Sequence, residues 1–456
     1  MNYSNEFNPE TATKSDIELK ADALVGKRLS EVLRNVSVRE RAPGDKGQVG
    51  QLVERYFRIA QNSDSEPDFK GSGIELKVVP IVRKRKGARA KERTSLTMID
   101  FTSLEKETWE SASVRHKLNH ILFVFYEHVS ASEAETALIL AYQFWCPGLD
   151  LIPQIVRDWT VVHNKVASGY AHTISEGDGR VLGAATKGAG HGKLVSQPRS
   201  ETRARPRAWA LKSSLTTWIY ESTRQVPQLS VAEALGIAPG EDFEAATLRR
   251  LDTFRGMQLG DVAAQLGVVL GRSKSWAAQL VRRAIGIHDD RLLLREFEQL
   301  GISIKTVPIS PLGKAWEAMS FPRFVHNEIV NQRWESSDFL SSIQRLLIIP
   351  LMRTDKKYVR ENQIWGRPFF WSPDDANVRD MRADWLRIIR MIRQGQSDKL
   401  PSYRLTRAIH VRPHGRNSLD TELAPGGITV TKKSLWLNPS LIERIVNENH
   451  GLNISR

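Results

Sequence analysis

The feature that most constrains this fold is an internal repeat. QLVER at 51–55 is matched by QLVRR at 279–283, and GIELKVVPI at 73–81 by GISIKTVPI at 301–309, both at an offset of 228 without a gap. Phe144-Trp145-Cys146-Pro147 and Asp158-Trp159 return as Phe370-Trp371-Ser372-Pro373 and Asp384-Trp385, offset by 226. Lys187 in TKGAG faces His414 in PHGRN, offset by 227. Near-constant spacing of this kind requires two domains of one fold. The 456 residues leave room for both, each with its own core. The expected organisation is an untied N-terminus over 1–15, a first domain over 16–222, a linker over 223–230 and a second domain over 231–456.

Within the first copy, Asp68 to Ile81, DFKGSGIELKVVPI, reads as a polar turn at Lys70–Gly73 that enters a strand. Strand alternation puts Ile74, Leu76 and Val78 on one face and Glu75 and Lys77 on the other, with Asp68 entering beside them. Two carboxylates and a lysine converging on one strand suit a metal-dependent phosphodiesterase. The carboxylates hold Mg²⁺, and the lysine orients and polarises the attacking water. Acidic and basic residues two apart are also ordinary on a solvated strand face, so spacing alone leaves both readings open. Upstream, Asp45 caps a helix carrying Val49, Leu52, Val53, Tyr56, Phe57 and Ala60 at helical spacing. Glu54 lies beside that stripe, either as an exposed helix residue or as a third carboxylate reaching the same site.

The formal net charge of +14 favours a polyanionic partner, nucleic acid before membrane. A single cysteine, Cys146, excludes an intrachain disulfide and a cysteine-based zinc site. The polar N-terminus and the lack of a long apolar run imply a cytoplasmic protein with no membrane contact. A helix is expected over 16–36 and a strand over 94–102. VRKRKGARAKER at 82–93 reads as a basic loop, phosphate-contacting or merely solvated. Further along are a helix over 109–120, a buried strand over 121–126, a helix over 150–167, a hairpin over 169–189 and a Gly/Pro/Arg-rich loop over 191–206. A last strand begins at Trp209.

The repeat tests the catalytic reading. At offset 228, Glu54 becomes Arg282, Asp68 becomes Glu296, Glu75 becomes Ser303, and Lys77 stays Lys305. The apolar frame of Ile304, Val307, Pro308 and Ile309 remains. A scaffold survives duplication, whereas chemistry can be dropped from one copy. The polar set of the first copy therefore has a function of its own.

KGQVGQLVE, the D-x6-E-L-K strand followed by VVPI, TWESASVRHKL and the FWCP…RDW pair together resemble the MutH family of endonucleases. NSDSEPDF…GIELKV looks closer to its two-domain type II restriction branch, which cuts GATC. The resemblance covers about 16–220 and, in degenerate form, 228–446. It implies an α/β fold of two tandem PD-(D/E)xK domains, each a mixed sheet flanked by helices, with the second catalytically degenerate and DNA held between two lobes. It makes Glu54, Asp68, Glu75 and Lys77 the active-site set, with Asp68 and Glu75 as metal ligands. Lys117 falls near the scissile phosphate, and Lys187 in a loop that reads base edges. One departure is Trp209-Ala210-Leu211-Lys212, where the repair enzymes carry tyrosine in place of Ala210. That argues against sensing of hemimethylated DNA.

The expected activity is that of a type II restriction endonuclease, cleaving double-stranded DNA with Mg²⁺ at 5′-GATC-3′ on family grounds. Its functional partner is a cognate DNA methyltransferase, and the protein is a monomer in solution with dimer formation on DNA. A strand-nicking mismatch-repair endonuclease and a catalytically silent DNA-binding protein are the alternatives. Expected DNA contacts are Arg83, Lys84, Arg85, Lys86, Lys187 and Lys212. In the second domain, His414, Arg416, Lys432 and Lys433 form an effector-DNA surface, against the plainer reading of a scaffold.

Overall fold

The computed structural model describes residues 7–33, 47–60, 66–83, 87–175, 177–187, 193–224, 228–238, 241–271, 276–289, 292–353, 359–415 and 417–450. The chain divides into two compact units, Met1–Val226 and Pro227–Arg456. The first begins with α1 (Lys14–Asp22), α2 (Leu29–Val32) and α3 (Gln48–Tyr56). The helix expected over 16–36 is thus two pieces. Gly26 adopts φ 79°, which glycine tolerates without strain. Its N–H donates to the Ile139 carbonyl, and that of Leu29 to the Ala137 carbonyl. Residues 7–13 are not untied either. The Phe7 ring lies 6.0 Å from Phe57 and 6.4 Å from Phe69, and Thr13 and Asp16 close a capping box on α1. Asp45, the expected cap of α3, lies outside the described residues; Gly47 occupies the N-cap position.

Next come β1 (Glu75–Arg83), β2 (Ala88–Ala90), β3 (Thr94–Ile99), α4 (Phe101–Leu104), α5 (Ser113–Leu118), β4 (Ile121–Glu127), β5 (Ile139–Trp145) and α6 (Ile152–Ala167). The unit ends with β6 (Leu182–Thr186), β7 (Val195–Gln197), β8 (Ser200–Ala204), β9 (Arg207–Leu211) and α7 (Ser213–Ser222). Two sheets form, in the orders β2-β1-β4-β5 and β3-β9-β6. The first is mixed: β1 and β4 are parallel with Glu75 opposite Ile121, while β5 and β2 run antiparallel to their neighbours. Ile121–Phe125 is buried throughout, which is why this strand reads as an unbroken apolar run. Leu122 and Val124 join Leu52, Val53 and Phe57 on one face. On the other, Phe123 stacks on Phe125 at 5.8 Å, and Tyr220 of α7 closes on Phe125 at 5.2 Å. Each such fully buried large apolar side chain contributes roughly 1.5–3 kcal/mol.

Several expected loops are strands. The basic stretch 82–93 carries the end of β1 and all of β2, paired from Ile81↔Ala90 to Arg83↔Ala88. Residues 191–206 contain the β7–β8 hairpin, while the hairpin expected over 169–189 supplies only β6, which pairs with β9. The helix expected over 109–120 shrinks to α5. Residues 82–93 and 191–206 satisfy their backbone by folding back on neighbouring chain, and β6 does so on the distant β9.

The second unit holds β10 (Gln228–Leu229), α8 (Val231–Leu235), α9 (Phe243–Asp252), α10 (Leu259–Gln265), α11 (Trp276–Ala284), β11 (Leu293–Leu294), α12 (Arg295–Leu300), β12 (Ile302–Ile309) and β13 (Met319–Phe324). It continues with α13 (His326–Ile329), α14 (Asp338–Ile343), β14 (Arg345–Met352), β15 (Ile364–Trp365), β16 (Phe369–Trp371) and α15 (Asp375–Arg393). It ends with β17 (Ile409–Pro413), β18 (Thr421–Leu423), β19 (Thr429–Thr431), β20 (Lys433–Leu437) and α16 (Pro439–His450). The plan repeats: β12 and β14 are parallel, β15 and β16 pair antiparallel with β14, and the order β13-β20-β17 mirrors β3-β9-β6. Leu346 and Ile348 enter one core, and Leu347 and Ile349 the other.

The repeated Asp-Trp pair belongs to this scaffold. Asp158 on α6 accepts the N–H groups of Val181 and Leu182 at 2.7 and 2.9 Å. Asp384 on α15 accepts those of Ala408 and Ile409 at 2.7 and 3.1 Å. Each buried carboxylate pins the start of an edge strand of the second sheet, β6 in one unit and β17 in the other.

Candidate active site

The turn before β1 is closed by two backbone hydrogen bonds between Phe69 and Ile74, and Gly73 takes φ 66° to make it. Asp68 stands at its mouth, and its Oδ2 accepts the Leu76 N–H at 2.9 Å. Glu75 opens the strand and is only 3 % exposed. A charge this buried must be paired, and two lysines pair it. Lys77 Nζ lies 2.6 Å from Glu75 Oε1, and Lys117 Nζ lies 2.8 Å from Oε2. Lys117, near the end of α5, also donates to the Glu66 carbonyl at 2.5 Å. Both lysines and the carboxylate sit at the same end of the parallel β1–β4 pair.

Glu54 comes from α3, which packs on β1, and is not the exposed helix residue of the plainer reading. Burial and then the Asp68 charge push its carboxyl above the usual range; Lys77 opposes this and Glu75 adds to it. Asp68 is raised likewise, first by burial and then by Glu75, while its bond to the Leu76 N–H works the other way. Three carboxylates therefore feel one another, with two lysines too few to quiet them all. Among the described residues no group of three His, Cys, Asp or Glu side chains is arranged to hold a metal. Mg²⁺ does not need one, because it keeps several waters and takes one or two carboxylates plus substrate phosphates. The hard oxygen donors of Asp68 and Glu75 fit that demand.

The five expected catalytic residues, Glu54, Asp68, Glu75, Lys77 and Lys117, thus come together. The expected DNA contacts fare unevenly. Lys187 directly follows β6 and is half-buried; its Nζ donates to Ser95 Oγ at 2.7 Å. Burial lowers its pKa, Glu92 opposes that, and the Lys77 charge lowers it further, so Lys187 stands near the catalytic set. Arg83 is eight residues along β1 from Glu75, about 26 Å away at the usual strand rise, and its Nε pairs with Glu127 at 3.0 Å. Lys84, Arg85 and Lys86 lie outside the described residues. Lys212 is 4 % exposed and packs beside Gly183, so it is not the surface cation expected.

In the second unit, Lys433 is buried and donates to the Ser397 carbonyl at 2.6 Å. Its counterpart Arg207 is buried too and donates to the Ala184 carbonyl at 3.0 Å. Lys433 is therefore a scaffold residue, and its expected place on a DNA surface is corrected. Lys432 pairs with Asp420. His414 is exposed, with Nδ1 3.0 Å from Ser434 Oγ. Arg416 lies outside the described residues. Sequence reasoning missed Ser95 altogether; no motif marks it.

A mixed sheet with a carboxylate–lysine set at the head of its parallel pair defines a nuclease of the PD-(D/E)xK kind. The model of the DNA mismatch repair enzyme MutH matches residues 57–158 and 289–384, one segment in each unit. The type II restriction enzyme Sau3AI of Staphylococcus aureus is 25 % identical over 93 % of this chain and 92 % of its own length. The DNA mismatch repair protein MutH of Haemophilus ducreyi is 31 % identical, over 39 % of this chain and 79 % of its own. That of Shewanella putrefaciens is 28 % identical, over 47 % and 99 %. The chain belongs to the MutH family.

Proposed function

We propose that this chain is a type II restriction endonuclease that hydrolyses double-stranded DNA with Mg²⁺. The observation that carries the chemistry is Glu75, buried and gripped by two lysines, with Asp68 and Glu54 beside it. The restriction reading is favoured over the repair reading by coverage. The restriction enzyme aligns along 93 % of the chain, the two repair proteins along 39 % and 47 %. Ala210, in place of the repair enzymes' tyrosine, agrees with it.

In this reading Asp68 and Glu75 hold Mg²⁺, which supplies a Lewis acid to the phosphoryl oxygens. Lys77 keeps Glu75 oriented and donates to the attacking water. Lys117 fixes the other Glu75 oxygen and adds positive charge beside the scissile phosphate. Glu54 orients Lys77. Lys187 meets a base edge in the major groove, where lysine donates to guanine O6 and N7. The target is GATC by family resemblance, and a cognate methyltransferase protects the host's own sites in the cytoplasm. The second unit binds an effector copy of the target, using a surface that includes His414 and Lys432.

Digestion of a sequenced plasmid with Mg²⁺, followed by mapping of the ends, tests this. Cuts in both strands at one short repeated sequence are expected. Nicking of one strand only, dependent on an added repair protein, would support the repair reading instead. Tight DNA binding with no cleavage would leave a silent DNA-binding protein.

A further inference from the structure

The most informative feature outside the catalytic set is a strand irregularity that both units share. On β3, Ser95 pairs with Ala210 and the register then shifts before Thr97. On β13, Ser320 pairs with Trp436 and the register shifts before Arg323. Ala210 and Trp436 are equivalent, since β9 and β20 match at an offset of 226, so Ser95 and Ser320 occupy one position of the fold. Irregularities of this kind re-aim side chains and gather next to active sites.

A lysine is held at each position, by the hydroxyl in the first unit and by the backbone carbonyl in the second, and the two lysines are not equivalent. Ser95 Oγ accepts from Lys187 at 2.7 Å. The Ser320 carbonyl accepts from Lys305 at 2.7 Å, and that ammonium also lies 4.2 Å from the Phe321 ring. Lys305 is the counterpart of the catalytic Lys77. The counterpart of Lys187 is His414, which turns to Ser434 instead. In the unit that lacks the carboxylates, the serine position is thus filled by the idle lysine. In the unit that keeps them, Lys77 is taken by Glu75, and the serine position is left for the lysine of the loop.

We propose that Ser95 is a positioning residue for target recognition. Its hydroxyl holds the Lys187 ammonium where the Lys77 charge of the catalytic set reaches it. The inference rests on the reading of Lys187 as a base contact. An ammonium has three N–H donors, so Lys187 can keep one on Ser95 while another meets a guanine, and a side chain already held loses little further freedom on binding. Ser95 thereby couples what the loop meets to the rate at which the neighbouring site cuts.

The test is a double-mutant cycle of Ser95→Ala and Lys187→Ala, read as cleavage rate on duplexes carrying the mapped target and on duplexes with one base pair changed. Ser95→Ala should lower target cutting about tenfold, leave altered duplexes near their wild-type rates, and add little to Lys187→Ala. Ser95→Thr, which keeps the hydroxyl, should restore at least half of the wild-type discrimination, and thermal melting of each variant checks that it folds. Equal losses on target and altered duplexes in Ser95→Ala, or full additivity with Lys187→Ala, would overturn the proposal. The base-reading assumption fails separately: Lys187→Ala would then weaken cutting of all duplexes alike.

Discussion

At the head of its parallel strand pair the first unit carries Glu75, held by Lys77 and Lys117. At the same point the second unit carries Ser303, and the surrounding charges have been reassigned. Lys305 turns to the Ser320 carbonyl. Arg282, in the place of Glu54, donates to the Leu292 carbonyl at 2.7 Å. Glu296, in the place of Asp68, accepts the Val231 N–H at 2.8 Å. Arg345, which opens β14, forms a two-point ion pair with Glu244 at 3.0 and 2.5 Å. Arg282, Glu296, Lys305 and Arg345 each have an internal partner, whereas Glu54 and Asp68 of the first unit are pushed above the usual carboxylate range by burial and by neighbouring carboxylates. The first unit keeps carboxylates whose charge is disfavoured where they sit, and the second has replaced or partnered the residues at those positions. What both kept, the Asp158 and Asp384 pins and the Arg207 and Lys433 anchors, is scaffold.

The largest expected effect breaks the comparison at the metal ligands. Asp68→Ala or Glu75→Ala should lower cleavage by at least about 10²–10³-fold, the scale for removing one electrostatic contributor to a transition state. DNA binding should remain. Glu296→Ala or Ser303→Ala should leave the chemical step unchanged. Single-turnover cleavage of one labelled duplex compares all four, and a loss in the second pair comparable to the first would mean that the two sites are not divided as described.

Next in size is the coupling between units. If the second unit binds effector DNA, a two-site plasmid should be cut roughly 5–150-fold faster than a one-site plasmid, the range of typical coupling energies. A short target duplex added in trans should rescue the one-site plasmid, and His414→Ala combined with Lys432→Ala should abolish the stimulation alone. Equal rates on both plasmids, with added duplex acting only as a competitor, would reduce the second unit to a scaffold.

A smaller effect concerns the raised Asp68 carboxyl. With Asp68 raised, the unfolded chain gives up its proton first as pH rises from about 3.9. The folded state binds the extra proton, so stability falls across the window up to the raised value and stays lower above it. Asp68→Asn should therefore raise the metal-free melting temperature at pH 7, by about 2–4 °C if ~1 kcal/mol is released. Mg²⁺ should stabilise the wild type and not the variant. An unchanged or lowered melting temperature would show that burial and the Glu75 charge do not disfavour the Asp68 carboxylate.

The smallest effect belongs to Lys305, whose pKa burial lowers to about 8. Between there and the unfolded value near 10.4, the unfolded chain binds more protons, so this unit should gain stability as pH rises. Lys305→Met should remove that gain and leave cutting within a fewfold of wild type. Urea denaturation at pH 7.5 and 9.5 measures both; an identical pH dependence in the variant would mean that Lys305 keeps its charge when folded.

Grouping Glu54 with Asp68, Glu75 and Lys77 took the family resemblance, while the sequence by itself determined the duplication, the strand 74–81 and the buried 121–126 run. These are legible because period and offset are written in consecutive residues. The tertiary structure alone decided which lysines are surface and which are structure. Lys212 and Lys433 read as cations for DNA, yet burial turns one towards Gly183 and the other to a carbonyl. It also decided that the 82–93 and 191–206 stretches become paired strands, because their partners lie across a hairpin that local propensity does not specify. Ser95 was invisible for the same reason. A serine acquires meaning only from the lysine that folding brings to it, here from 92 residues away.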